Sequence, residues 1–174
     1  ARIYSGDVTD LAQDPLFFGY WYATARGIGV LESSDYGVSF HPIAGDGGIG
    51  GGLVGPIGRM ALAVCESAPN YVYAIVANDL NQLGGVFRSA DYGYNWTSIR
   101  SEDHISLSAA SHVLAIAVDP NNPDHVAIGI YAAELSTDAT TRAPSWSGLG
   151  GGHPDYTSLM FVPATVSPTA TTLI

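Results

Sequence analysis

The segment Ser33-Ser34-Asp35-Tyr36-Gly37-Val38-Ser39-Phe40 returns as Ser89-Ala90-Asp91-Tyr92-Gly93-Tyr94-Asn95-Trp96, so Ser-x-Asp-Tyr-Gly-x-x-aromatic recurs with a step of 56 residues. A degraded copy follows 47 residues after Asp91: Ser136-Thr137-Asp138, with Trp146 further on, the glycine lost and an insertion gained. A repeat at this period constrains the fold more than composition does, because one small unit must be built several times and stacked. Matching sequence precedes each copy. Val8 to Pro15 lines up with Ala61 to Pro69 and with Leu114 to Pro123, an apolar stretch ending at Pro. A second apolar run follows in each unit: Tyr20 to Thr24, Tyr71 to Ala77 and Val126 to Ile130. Gly29-Val30-Leu31 and Gly85-Val86-Phe87 come just before the first two copies, and the aromatic of each opens a fourth run.

Four short strands per unit, punctuated by Pro, Asn, Asp and Gly, are the sequence image of a β-propeller blade. The expected fold is all-β: a propeller fragment of about three four-stranded blades plus the start of a fourth. Blade 1 is expected over about 8–43, blade 2 over about 60–99, blade 3 over about 113–149, and the fourth unit over about 153–174. Propellers close with about 4–8 blades. The remaining blades are therefore expected from the same polypeptide, in preference to another chain.

Composition narrows the partners. With 16 acidic residues against six arginines and no lysine, the formal charge is -10. Such a chain repels phosphate backbones and anionic surfaces, which argues against nucleic acid. No apolar run is long enough for a membrane-spanning helix. Cys65, the single cysteine, lies in the apolar run Met60 to Cys65 and reads as a small core residue, not a nucleophile.

In each motif the carboxylate is expected to accept hydrogen bonds from its own turn, Gly37 and Gly93 to supply a left-handed backbone, and Phe40 and Trp96 to cover the core. Ser33, Asp35, Gly37, Phe40, Ser89, Asp91, Gly93, Trp96 and Asp138 are therefore assigned to structure, not catalysis. The glycine-rich stretch Gly45 to Gly52 lacks the lysine and following helix of a phosphate loop. It reads as a flexible connection between blades; the alternative, a calcium site, would have Asp46 as its one carboxylate, few for a hard cation. No metal or other cofactor is expected, since the five histidines share no ligand spacing. Tyr20, Trp21, Tyr22, Tyr36 and Tyr92 could stack on sugar rings where exposed, although tyrosines in strands more often serve packing.

The two well-formed motifs, with Gly-Val-Leu or Gly-Val-Phe before them, resemble those of Asp-box (BNR) repeat proteins. Gly58 to Val64 and Gly84 to Asp91 are similar to segments of sortilin-like propellers and of xyloglucan-degrading glycoside hydrolases. His153-x-Asp155-x-Thr157 resembles a His-x-Asp-x-His segment of such repeats, with Thr157 in place of the second His. The resemblance implies a secreted or cell-surface protein whose Asp boxes join third and fourth strands, away from the ligand channel. It also implies an acid in a Tyr-Ala-Arg-Thr-Asp-x-Gly-Gly segment of the hydrolases. Here that stretch is Tyr22-Ala23-Thr24-Ala25-Arg26-Gly27-Ile28-Gly29, and Arg26, a cation, cannot be a general base. Sialidases resemble the chain through the box alone, and no spacing singles out an arginine cluster among the six.

The leading expectation is a non-catalytic extracellular segment that binds carbohydrate or protein at the channel-facing ends of its first strands, through Asp10, Arg26, Arg59, His153 and Asp155. The alternatives are part of a secreted polysaccharide hydrolase, with Asp10, Asp46 and Asp155 as the acids to inspect, and a structural surface or fibre protein. No catalytic residue is assigned.

Overall fold

A computed structural model describes residues 6–45, 48, 50–53, 57–100, 114–150, 156–162 and 172–173. Three four-stranded antiparallel meanders follow one another along the chain. Sheet I comprises β1 (Val8–Gln13), β2 (Trp21–Ala25), β3 (Gly29–Ser33) and β4 (His41–Gly45). Sheet II comprises β5 (Met60–Val64), β6 (Val72–Ala77), β7 (Leu83–Ser89) and β8 (Trp96–Arg100). Sheet III comprises β9 (Ala115–Asp119), β10 (Asn122–Gly129), β11 (Ala133–Ser136) and the two-residue β12 (Ser147–Gly148). A fourth pair, β13 (Phe161–Val162) with β14 (Thr172–Leu173), follows.

The meander is dictated locally. Apolar, β-branched and aromatic residues fill runs of four to eight positions, and turn formers separate them. In β6 the run Val72-Tyr73-Ala74-Ile75-Val76-Ala77 is apolar without alternation, and every residue in it is buried. Period-two geometry explains why: side chains point alternately to opposite faces, and both faces are covered. Val72, Ala74 and Val76 join Tyr22, Val30, Ile43, Ala44, Met60, Phe87 and Trp96 in a core between sheets I and II. Tyr73, Ile75 and Ala77 join Ile116, Val118, Val126 and Ile128 in a core between sheets II and III. The core is thus a set of seams between neighbouring sheets, and no sheet buries both faces alone.

The first strands lie innermost and side by side, β1 against β5, β5 against β9 and β9 against β13. An innermost strand has no further strand on its inner side, so its backbone groups need other partners. Side chains supply some of them at the I–II seam. Thr9 Oγ1 lies 3.2 Å from the Met60 amide it accepts and 3.0 Å from the Met60 carbonyl. Asp10 Oδ2 accepts the Leu62 amide at 2.8 Å. Further out, Arg100 of β8 pairs with Glu134 of β11 at 2.5 Å, tying sheet II to sheet III.

Antiparallel register gives the assembly two ends. One carries the starts of the first strands and the turns between second and third strands, and the other carries the turns between first and second and between third and fourth strands. The glycine-rich connection after β4 differs from the flexible loop expected of it. Gly50 N donates to Ile43 O at 2.7 Å, and Trp96 N donates to Gly51 O at 2.8 Å. A Cβ on Gly50 would lie 1.7 Å from Tyr94 O, and one on Gly52 1.8 Å from Trp96 O. The glycines are required because backbone packs on backbone between β4 and the start of β8. Leu53 and Ile57 then bury themselves in the I–II seam. Asp46, the acid of the calcium alternative, lies outside the described residues.

Candidate functional site

The β3–β4, β7–β8 and β11–β12 turns share a serine that donates to the aspartate and an aspartate that accepts the amide just before the aromatic. Ser33 Oγ donates to Asp35 Oδ1 at 2.8 Å and accepts the Gly37 amide at 2.9 Å, while Asp35 Oδ1 accepts the Ser39 amide at 2.8 Å. Ser89, Asp91, Gly93 and Asn95 repeat this at 2.8, 2.9 and 2.8 Å. In the third copy Ser136 donates to Asp138 at 2.9 Å, and the amide that Asp138 accepts belongs to Ser145, also at 2.9 Å. The inserted residues loop out, and Trp146 follows Ser145 as Phe40 follows Ser39. Gly37 and Gly93 have φ of 78° and 85°, the left-handed conformation that makes glycine the favoured residue there.

Hydrogen bonds from the Ser39 side chain and amide, then from Ser33, hold the Asp35 carboxyl down at about 2. Burial pushes Asp91 up, but donors from Asn95 and Ser89 outweigh it, and its pKa is lowered. Bonds from Ser136 and Ser145 lower Asp138 as well. All three carboxylates are committed to their turns and stay ionised, which suits a clasp and not a general acid.

At the other end, the starts of the innermost strands enclose a cavity of about 230 Å³. It is lined by Thr9 and Asp10 of β1, Arg59, Ala61 and Leu62 at β5, Leu114 to Ile116 at β9, and Thr157, Ser158 and Leu159 ahead of β13. Asp10 and Arg59, both expected to contact ligand, are therefore brought together here. Asp10 also has a role that local sequence could not show: Oδ1 accepts its own following amide at 2.9 Å while Oδ2 caps Leu62. Arg26 does not line this cavity. Its Nε is 2.9 Å from Asp7 Oδ2 in an ion pair at the surface. His153 and Asp155 lie outside the described residues, immediately before the Tyr156 to Leu159 stretch.

Of the aromatic candidates, Tyr20, Tyr36 and Tyr92 are exposed, whereas Tyr22 is buried to 1% in the I–II seam. Its neighbour Trp21 is half-buried. A tyrosine in a strand run gives no local sign of which sheet will cover it; Tyr22 serves packing, the commoner role, and presents no surface to a sugar ring. Cys65 is fully buried, its sulfur 3.4 Å from Asp119 O. Among the described residues no group of three or more His, Cys, Asp and Glu could hold a metal ion.

No family model matches the sequence, and no curated protein matches it significantly. Solved structures do match in shape. An ancestral GH74 enzyme superposes with a TM-score of 0.59 at 17% identity, covering 92% of this chain and 21% of that one. YCF48 from Cyanidioschyzon merolae superposes with a TM-score of 0.59 at 15% identity, covering 98% of this chain and 42% of that one. The chain is an all-β propeller fragment, its sheets I to III standing as four-stranded blades. It spans about a fifth and about two fifths of the lengths of these two structures.

Proposed function

We propose that the chain is a segment of an extracellular Asp-box propeller that binds carbohydrate at the mouth of its channel. The observation that carries this reading is the cavity at the starts of the innermost strands. Arg59, Asp10, Thr157 and Ser158 surround it with donors and acceptors, and Leu62, Ile116 and Leu159 give it apolar walls. A polyhydroxylated ring presents that mixture of hydroxyls and apolar C–H faces. The remaining blades, from the same polypeptide or another chain, would complete the wall. A secreted or cell-surface location fits the lysine-free, tyrosine- and glycine-rich composition.

The test is binding of soluble plant-wall oligosaccharides by isothermal titration, with Arg59→Ala and Ser158→Ala as variants. The reading expects saturable binding that Arg59→Ala weakens by about tenfold or more, the loss of a charged hydrogen bond. Binding of a protein ligand with no oligosaccharide affinity would overturn the carbohydrate assignment.

The likeness to a GH74 enzyme favours a second reading, a portion of a polysaccharide hydrolase. Inverting hydrolysis needs two carboxyl groups across the scissile bond. Among the described residues Asp10 is the one carboxylate lining the cavity, and both its oxygens already accept backbone amides. The second acid would therefore have to come from outside the described residues, Asp155 being the nearest in sequence. Release of reducing sugar by the full polypeptide, abolished by Asp155→Asn, would establish this reading in place of simple binding.

A further inference from the structure

A second cavity, of about 340 Å³, opens at the opposite end of the I–II seam. Phe17, Tyr20 and Tyr22 of sheet I face Tyr92 and Tyr94 of sheet II across it, with Asp14 and Glu32 as its charged residues. Phe17 and Tyr20 meet edge to face, centroids 5.9 Å apart. Asp14 is 1% exposed; its Oδ1 accepts the Leu16 and Phe17 amides at 2.8 and 3.0 Å, and no described group bonds Oδ2. Glu32 Oε2 accepts the Tyr94 hydroxyl at 3.0 Å. Among the described residues neither carboxylate forms an ion pair. Tyr22, 1% exposed, has no described hydrogen-bond partner for its hydroxyl. Burial, and after it the Asp14 and Glu32 carboxylates, pushes that phenol well above its ordinary range.

The next seam shows how the same architecture is completed when the chain supplies its own partner. Tyr22 pairs with Glu32 across β2 and β3, and Tyr73 pairs with Arg88 at the equivalent place across β6 and β7. There the Tyr73 hydroxyl donates to Pro123 O at 2.5 Å, and Arg88 Nη1 donates to the carbonyls of Ala139 and Thr141, both at 2.8 Å. Seam II–III thus holds a built-in cation where seam I–II holds an acid among aromatic side chains.

From the two carboxylates, the aromatic walls and the Arg88 counterpart, we propose that the I–II cavity binds an organic ammonium cation. Aromatic faces attract a cation through their quadrupole, most strongly where water is excluded. Asp14 and Glu32 add charge complementarity, and a neutral ring would leave both buried or half-buried carboxylates uncompensated. The site is remote from the channel-mouth cavity and does not depend on how that one is read.

The experiment is titration of the full chain with choline and with its neutral isostere 3,3-dimethylbutan-1-ol, followed by NMR of the tyrosine ring protons. Saturable choline binding, with the isostere weaker by at least about fivefold, is expected. Tyr92→Ala and Glu32→Gln should each weaken choline by at least about threefold, with far-UV circular dichroism unchanged. Glu32→Arg, which copies the neighbouring seam, should abolish binding while the chain stays folded. No saturable choline binding, equal binding of the isostere, or tighter binding of methyl glucoside at Tyr92 would each overturn the proposal.

Discussion

Replacing Trp96 by Ala tests whether the seams are the core. Its indole is 5% exposed and sits in the I–II cluster with Ile43, Leu53 and Phe87. Nε1 donates to Gly93 O at 2.7 Å, and its amide is held by Gly51 O at 2.8 Å. Truncation removes the buried ring and leaves a cavity, which costs about 3–5 kcal/mol for a Trp. Against a total of about 5–15 kcal/mol this is a large fraction. For a chain of this size it lowers the melting temperature by about 6–20 °C, at about 2–4 °C per kcal/mol. Trp96→Phe keeps most of the burial but strands the Gly93 carbonyl, and should cost about 1–3 kcal/mol. Phe40 holds the matching position in sheet I and is only half-buried, so Phe40→Ala should cost under about 2 kcal/mol. Urea unfolding followed by far-UV circular dichroism gives all three values without relying on indole fluorescence. If Trp96→Ala costs no more than Phe40→Ala, the aromatic does not anchor the seam and the argument fails.

The lowered carboxyls of Asp35, Asp91 and Asp138 make stability depend on acid. Each has a folded pKa below the ordinary 3.8, so its contribution is full above about pH 4 and lost as pH falls through the folded value, about 2 for Asp35. The melting temperature should fall over that window, and the triple Asp→Asn variant should lose stability at pH 7 while showing a flatter acid limb; parallel limbs would refute this. Gly50→Ala and Gly52→Ala place a Cβ inside 2 Å of backbone oxygen. They should cost at least about 1–3 kcal/mol in urea titrations, whereas Gly148→Ala, with nothing within 4 Å, should stay within about 0.5 kcal/mol. Cys65 should react with a disulfide reagent only at the rate of unfolding, and fast labelling of the folded chain would contradict its burial.

The candidate site was only partly legible. Asp10 and Arg59 stand 49 positions apart in the chain, yet both are chosen by the same rule, that each lies near the start of a first strand. The rule found the shared cavity because the innermost strands align their starts. Arg26 follows a second strand, not a first, and lies against Asp7, a pairing that the rule does not read. The aromatic cavity gave a partial signal, exposed tyrosines near the repeated turns. Asp14 read only as part of a strand ending in Pro, and Glu32 gave no signal.

By itself the sequence determined the repeated four-strand unit and the turns that punctuate it. Those features rest on contacts within a few residues: alternation of side chains along a strand, and a serine and an aspartate that bond amides two to four positions on. Tertiary structure alone decided what each face meets. Tyr22 and Tyr73 occupy equivalent strand positions, but one opens on an acidic aromatic cavity and the other is satisfied by Pro123, because their neighbours come from different blades. The glycine-rich connection looks free until Trp96 and Tyr94 lie against it. Such contacts join residues about 50 positions apart and depend on how one blade stacks on the next. No local pattern in either partner records them.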